Sequence, residues 1–471
     1  MIFFFLSVSS FQVVLSQEGY HIAFTVKNLP DTVCFLVGYT GDKTYLIDTA
    51  WTEDQSFTFK GDTPLDEGMY MIAGQSKNKY LDFIVNDASK FRIETDTAHW
   101  IDNIRVKGSK ENQLFFDYVA YLGQQREIVD SLNSLMKADS VDDVEKTIIG
   151  KLIRGVDNEV ILHQKELIME HQDTFFGKFL LASMEPEAME KLRQNPDTSD
   201  RIALLREYRD HYWDNFDLTD DRLLHTPLFH PRMERYMDDL IYPVPDSITK
   251  SIDSILILTS SSKTVYEYLV WYFTLKYERS KIMGYDAVFV HMANAYFKTG
   301  KADFISEPVR QNIMKRSDIL ESLLIGKPAP LMILLDTNDK PVSLYEINKE
   351  FTVLYFWDTD CSFCTKETPK LKQFYDEYRE VFDVEVYAVC IDTSMTGWKE
   401  YIKKNELTWI NVNGYLSLTP DFHDLYDVHS SPVVFLLDRK KFIVGKNILT
   451  DQVIEILNRK KHEKEIPNNN D

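Results

Sequence analysis

Three parts follow one another in this sequence: an N-terminal antiparallel β-sandwich-like domain, an all-α middle domain and a C-terminal α/β domain. Three observations predict them. Short strand-like runs alternate apolar and polar residues up to about Val106, apolar residues then recur three and four apart from Ser109 to about Leu324, and buried-strand runs alternate with helical segments after the segment IGKPAP at 325–330. Length agrees, because 471 residues exceed one hydrophobic core and a domain takes roughly 100 to 200.

The first part reads as strands because HIAFTV, TVCFLVGY, TYLIDTAW, SFTFKG, MYMIAG and YLDFIV are separated by the turn-forming NLPD, TGDK and TPLDEG. The second reads as helices because NQLFFDYVAYLGQQ, IVDSLNSLM, VEKTIIGKLIRGV, RIALLREYRDHYW and VYEYLVWYFTLKYE space their apolar residues for one face. Two prolines in three residues then favour an extended entry into a third domain. The expected boundaries are 18–108 for the β-sandwich-like domain, 109–324 for the helical domain, 325–461 for the α/β domain and 462–471 for a disordered, charged and Asn-rich tail.

MIFFFLSVSSFQVVLS carries no charge before Glu18 and is shorter than the roughly 20 residues of a membrane-spanning helix. Residues 1–17 are therefore expected to be a signal peptide cleaved near Gln17, which places the mature chain, without a transmembrane helix, in the periplasm or cell envelope. The run lacks a basic start, so a buried first strand is the alternative. Hydrophobic residues at 44% and charged residues at 27% describe a soluble globular chain. A net charge of -21 excludes phosphate-backbone binding as a main role, so no nucleic acid partner is expected.

Four cysteines are too few for a disulfide framework. Cys34 in TVCFLVG and Cys390 in VEVYAVCI read as small buried core residues. His211, His225 and His230 lack the spacing of a metal site, and no HExxH motif is present, so no metal is expected. The aromatic run VYEYLVWYF reads as helix core rather than as a ligand box.

The chemistry lies in the third part. FTVLYFW has the composition of a central strand buried on both faces, DTD breaks it, and Cys361-Ser362-Phe363-Cys364 opens a segment of helical spacing, TKETPKLKQFYDEYREVF. A thiol at a helix N-terminus meets unpaired backbone N–H groups and the positive end of the helix dipole, which favour thiolate. Cys361 is thus the expected nucleophile. Cys364, one turn along, can reach its sulfur and resolve a mixed disulfide, so Cys361–Cys364 is the expected redox disulfide and no other cofactor is needed. A zinc site would require two further ligands that Cys390 alone does not supply. Glu367, three residues beyond Cys364, is the candidate proton acceptor for the resolving thiol.

With these residues in view, FWDTDCSFCTKETP resembles the TlpA/ResA-like branch of the thioredoxin family in its CxxCxxExP pattern, which includes Glu367 and Pro369. HSSPVVFLLD resembles the family's cis-proline turn, at Ser431 and Pro432. The order VEVYAVCI, PVVFLLD, KFIVG, TDQVIEILNRK is likewise thioredoxin-like. The resemblance implies a thioredoxin fold, substrate contacts at Trp357, Ser362, Phe363, Ser431 and Pro432, and a thiol-disulfide oxidoreductase. The leading reading is exchange with protein thiols or disulfides of the envelope, cytochrome c haem-attachment cysteines among them, as a reductant recharged by a membrane electron donor; the CxxC itself does not fix the direction, and an oxidant is the alternative. The three-part order also resembles a group of Bacteroidota-type envelope proteins. Two departures bear on potential: Asp360 stands where the family places Trp, and Tyr355 where cytosolic thioredoxins place a buried Asp. A carboxylate beside Cys361 should oppose its ionisation.

Two other functions compete. A thiol peroxidase of the same fold would need Pro and Thr where this chain has Leu354 and Asp358. An envelope binding or scaffold module would use the thioredoxin domain passively, and its partner binding would survive loss of Cys361.

Overall fold

The computed structural model describes residues 19–138, 141–194 and 200–465. The expected signal peptide, 1–17, lies outside the described residues. Two compact units form, one reaching to Ile241 and including Leu258–Val265, the other comprising Tyr242–Ile257 and the chain from Tyr266 onward.

In the first unit the strands are β1 (His21–Lys27), β2 (Val33–Thr40), β3 (Lys43–Trp51), β4 (Ser56–Lys60), β5 (Gly68–Ala73), β6 (Lys79–Val85), β7 (Lys90–Asp96) and β8 (Arg105–Lys107). They build two four-stranded sheets, ordered β4-β1-β7-β8 and β3-β2-β5-β6. Alternation aims Phe57 and Phe59 of β4 and Phe91 and Ile93 of β7 inward. Phe24 of β1 meets Phe57 at 5.2 Å and Phe83 of β6 at 5.6 Å between ring centres, so the sheets share an aromatic core. One pair departs from the expected antiparallel arrangement: β1 and β7 run parallel, His21 opposite Lys90. Strands β2 to β6 lie between them in sequence, which supplies the long crossover that parallel pairing requires.

Helices α1 (Lys110–Met136) and α2 (Asp143–Glu170) follow. Ser109 caps α1 by accepting the Asn112 N–H. Asn112 then exchanges two hydrogen bonds with the Ile84 backbone, 2.8 and 2.6 Å, fixing the helix start to β6. The buried Glu111 carboxylate accepts the N–H groups of Phe175 and Phe176, at 3.3 and 2.7 Å, where the helix Phe175–Ser183 begins. Asp142 and Glu145 form a reciprocal capping box on α2. The three histidines weighed for metal have separate partners: His225 the Tyr39 carbonyl at 2.9 Å, His211 Asp214 at 2.8 Å, and His230 Glu234 at 3.4 Å. Cys34 is a buried thiol, as read, and burial pushes it up to about 11.

The second unit holds β9 (Ile333–Asp336), β10 (Pro341–Ser343), β11 (Phe351–Trp357), β12 (Val384–Cys390), β13 (Ile410–Ser417), β14 (Val433–Asp438) and β15 (Ile443–Lys446) in one sheet ordered β10-β9-β13-β12-β11-β14-β15. β11 lies parallel to β12 and antiparallel to β14. Every residue of β11 is buried, and the pleat sends Val353, Tyr355 and Trp357 into one core and Leu354 and Phe356 into the other. This central position is what the apolar run FTVLYFW requires.

Three details differ from the sequence reading. The helical stretch 109–324 is divided between the two compact units: the start of α1 is bound to β6 in the first, whereas in the second Leu323 packs into the sheet core with Ile319 against it, and Lys446 bonds both the Leu323 carbonyl and Asp286. The entry segment at 325–330, expected as an extended lead-in, is itself bonded to the sheet domain. Gly326 donates to the Ile443 carbonyl and Ala329, between the two prolines, to that of Lys441, each at 2.8 Å. The last helix, Thr450–Glu465, continues past 461 into the expected tail, as the helix-favouring Glu463 and Lys464 permit; residues 466–471 lie outside the described residues.

Candidate active site at the end of the central strand

β11 delivers the chain to the sheet edge at Trp357, and Asp358 to Asp360 turn it. The Asp360 N–H donates to Asp358 Oδ1 at 2.8 Å, Thr359 bonds Asp392, and Asn413 holds the Asp392 carbonyl at 3.0 Å. The helix Cys364–Tyr378 starts directly after Phe363. Phe363 provides no capping side chain, and the Cys361 sulfur fills that place by accepting the Cys364 N–H at 3.1 Å.

From the far side of the site, the Ser431 carbonyl accepts the Cys361 thiol at 3.3 Å, and the Ser431–Pro432 peptide is cis. Cys361 is partly exposed, whereas Cys364 is 1% exposed. Their acidities separate accordingly. Burial alone would raise Cys361, but hydrogen bonds with the Cys364 thiol, at Ser431 and from the backbone N–H groups of Cys364 and Phe363 outweigh it and hold Cys361 below an ordinary thiol. Burial, reinforced by its bond to Cys361, pushes Cys364 up to about 12. The Asp360 carboxylate, exposed beside them, does not reverse this order. The arrangement is a solvent-facing sulfur that ionises readily above a buried sulfur that does not. Alkylation of Cys361 by iodoacetamide is therefore expected to reach half its plateau rate below about pH 8.5, the value of a free thiol, with Cys364 protected until the chain unfolds. A midpoint above that of a free thiol would contradict the geometry.

Of the other residues singled out in the sequence, Ser362 is exposed, Phe363 is 70% exposed, and Ser431 and Pro432 are half-buried, so all four lie open around Cys361. Trp357 is the exception. Expected as a substrate contact, it is fully buried, stacks with Tyr355 and packs on Tyr401 at 5.0 Å. A residue of a strand covered on both faces cannot reach solvent, however close it lies in sequence to the thiols. Glu367 is 5% exposed; its Oε1 accepts the Thr450 N–H at 2.7 Å, capping the last helix, and Lys370 lies 3.8 Å from its Oε2. Cys390 is a buried thiol pushed up to about 12 by burial.

Two participants, Thr368 and Asp392, escaped the sequence reading. Tyr355, standing where cytosolic thioredoxins place a carboxylate, pairs its hydroxyl with Thr368 at 2.9 Å in the layer beneath Cys364. Thr368 lies four residues after Cys364, on the same helix face, and that spacing was the available signal. Asp392, at the end of β12, offered none.

The model of the AhpC/TSA family matches residues 325–447, and two domains of unknown function match residues 20–115 (DUF4369) and 197–316 (DUF5106). Thiol-disulfide oxidoreductase ResA of Bacillus subtilis is 30% identical over 124 residues, which are 26% of this chain and 67% of the relative. The chain belongs to the ResA/TlpA-like thiol-disulfide oxidoreductases. ResA of Bacillus cereus is 29% identical to this oxidoreductase over 138 residues, 29% of this chain and 76% of the relative. Among solved structures, a domain of a possible thiol-disulfide isomerase from Cytophaga hutchinsonii is 31% identical, with a TM-score of 0.29 over 30% of this chain and 96% of that one.

Proposed function

We propose that the oxidoreductase works through Cys361 and Cys364 as a reductant of protein disulfides in the cell envelope. The observation that carries this reading is the asymmetry of the two thiols, one partly exposed and held below an ordinary thiol, the other buried and pushed up to about 12. The Cys361 thiolate attacks one sulfur of a substrate disulfide; the new Cys361–substrate bond replaces the substrate's own, and the released substrate thiolate takes a proton from water. Cys364 then loses its proton and attacks the Cys361 sulfur. The second substrate thiol departs, the Cys361–Cys364 disulfide remains, and two electrons have passed to the substrate.

Low acidity of Cys364 keeps this second step dependent on a base, and Glu367, one helical turn away, is the group assigned to receive or relay the proton while it caps Thr450. The exposed Ser362 and Phe363 and the Ser431–Pro432 turn form the surface on which the substrate chain lies. The envelope assignment rests on the uncharged leading run; among the described residues no helix is long and apolar enough to cross a membrane. The pair would be re-reduced by a membrane electron donor.

Equilibration of the Cys361/Cys364 pair with glutathione tests the direction. A potential near or below that of thioredoxin, about -270 mV, is expected, and one near about -120 mV would assign an oxidant instead.

A further inference from the structure

We propose that α1 and α2 are a dimer interface, on which the same hairpin of a second copy of this chain packs to complete a four-helix bundle. The inference stands independently of the redox chemistry. Each helix is about 40 Å long, and the two meet side by side, with the Tyr121 and His163 rings 4.3 Å apart. Half-buried residues recur at intervals of three and four along their seam, Val129, Leu132 and Met136 on α1 and Ile149, Ile153 and Val156 on α2. No residue of α2 is fully buried, and none of α1 is beyond Tyr118. Over most of its length the hairpin therefore has a seam but no core.

A second apolar stripe runs beside that seam. Ile128, Leu135, Ile148, Leu152, Leu162 and Met169 are 46% to 69% exposed. The first five each precede a seam residue by one position, and residues displaced the same way from the seam of an antiparallel pair lie on the same side of it. The exposed apolar residues of both helices thus form one face.

Gly155 lies on this face between Leu152 and Leu162. A Cβ added there meets nothing within 4 Å, yet an interior helical glycine costs roughly 0.5–1 kcal/mol relative to alanine. Among the described residues no contact at the added Cβ offsets that cost, whereas a neighbouring helix would approach closest at that point.

Area and self-complementarity favour a second copy as the occupant. From Ile148 to Met169 the face runs about 30 Å, and two helices side by side are about 20 Å wide, so about 600 Å² per copy and about 1,200 Å² in total would be covered, which reaches the size of a specific interface. Charge does not select the occupant, since α2 carries six acidic and four basic side chains. Identical stripes meeting about a two-fold axis are self-complementary, and two hairpins make the up-down geometry of a four-helix bundle.

Light scattering during gel filtration of the purified chain should give twice the chain mass at micromolar concentration. Ile128→Glu with Leu152→Glu, both at exposed positions, should weaken the dimer at least about 100-fold with unchanged far-UV circular dichroism. Gly155→Leu should also dissociate it while favouring the helix of the monomer, which separates lost docking from lost folding. A monomeric wild type, or a dimer that survives the double substitution, overturns the proposal, and in the first case the face is left to a different protein.

Discussion

Cys361→Ser is expected to lower the rate of insulin disulfide reduction by at least about 10³-fold. The magnitude follows from the second thiol. Burial, the main cause that raises the Cys364 thiol, persists in this variant and also keeps substrate sulfur away, so Cys364 cannot take over. Cys364→Ser should behave differently: Cys361 still attacks, nothing resolves the product, and the Cys361–substrate mixed disulfide accumulates as a species that reducing agent removes on a gel. A Cys361→Ser protein that kept a tenth of the wild-type rate would sink the assignment of the nucleophile, and a Cys364→Ser protein that turned over normally would sink that of the resolving thiol.

Trp357→Ala is expected to cost about 3–5 kcal/mol of stability and to lower the melting temperature by about 10 °C or more. The side chain is fully buried between Tyr355, Tyr401 and the active-site helix, so its removal leaves a cavity in the core beneath the thiols. Trp357→Phe should be far milder. The indole N–H has no hydrogen-bond partner among the described residues, so phenylalanine loses volume without stranding a polar group. Thermal unfolding and insulin-reduction kinetics of the two variants distinguish a core residue from a substrate contact. A several-fold rise in KM for Trp357→Phe at unchanged melting temperature would return Trp357 to the substrate surface.

The legible parts of this molecule were those written in local pattern. Alternation in SFTFK aimed Phe57 and Phe59 inward, and the unbroken run FTVLYFW marked a strand covered on both faces. The Cys361–Cys364 spacing at a strand-to-helix junction located the site, because helix geometry and dipole act within one turn. The burial of Trp357 was also implicit in that run, but its nearness to the cysteines in sequence suggested a contact that a two-sided strand cannot make.

Contacts between distant segments were not legible in local pattern. The approach of Ser431 to Cys361 across 70 residues was expected only from the family resemblance, and the Thr450 N–H bond to Glu367 across 83 had no signal. Parallel pairing of β1 with β7 and the division of the helical stretch between two units depend likewise on which surfaces meet after folding. Sequence by itself determined the element types, the thiol pair and its place at a helix start, since periodicity and capping are properties of neighbouring residues. Tertiary structure alone decided how deeply Cys364 is buried, what Glu367 touches and which apolar stripes stay uncovered, because desolvation and hydrogen bonding are set by atoms brought together from far along the chain.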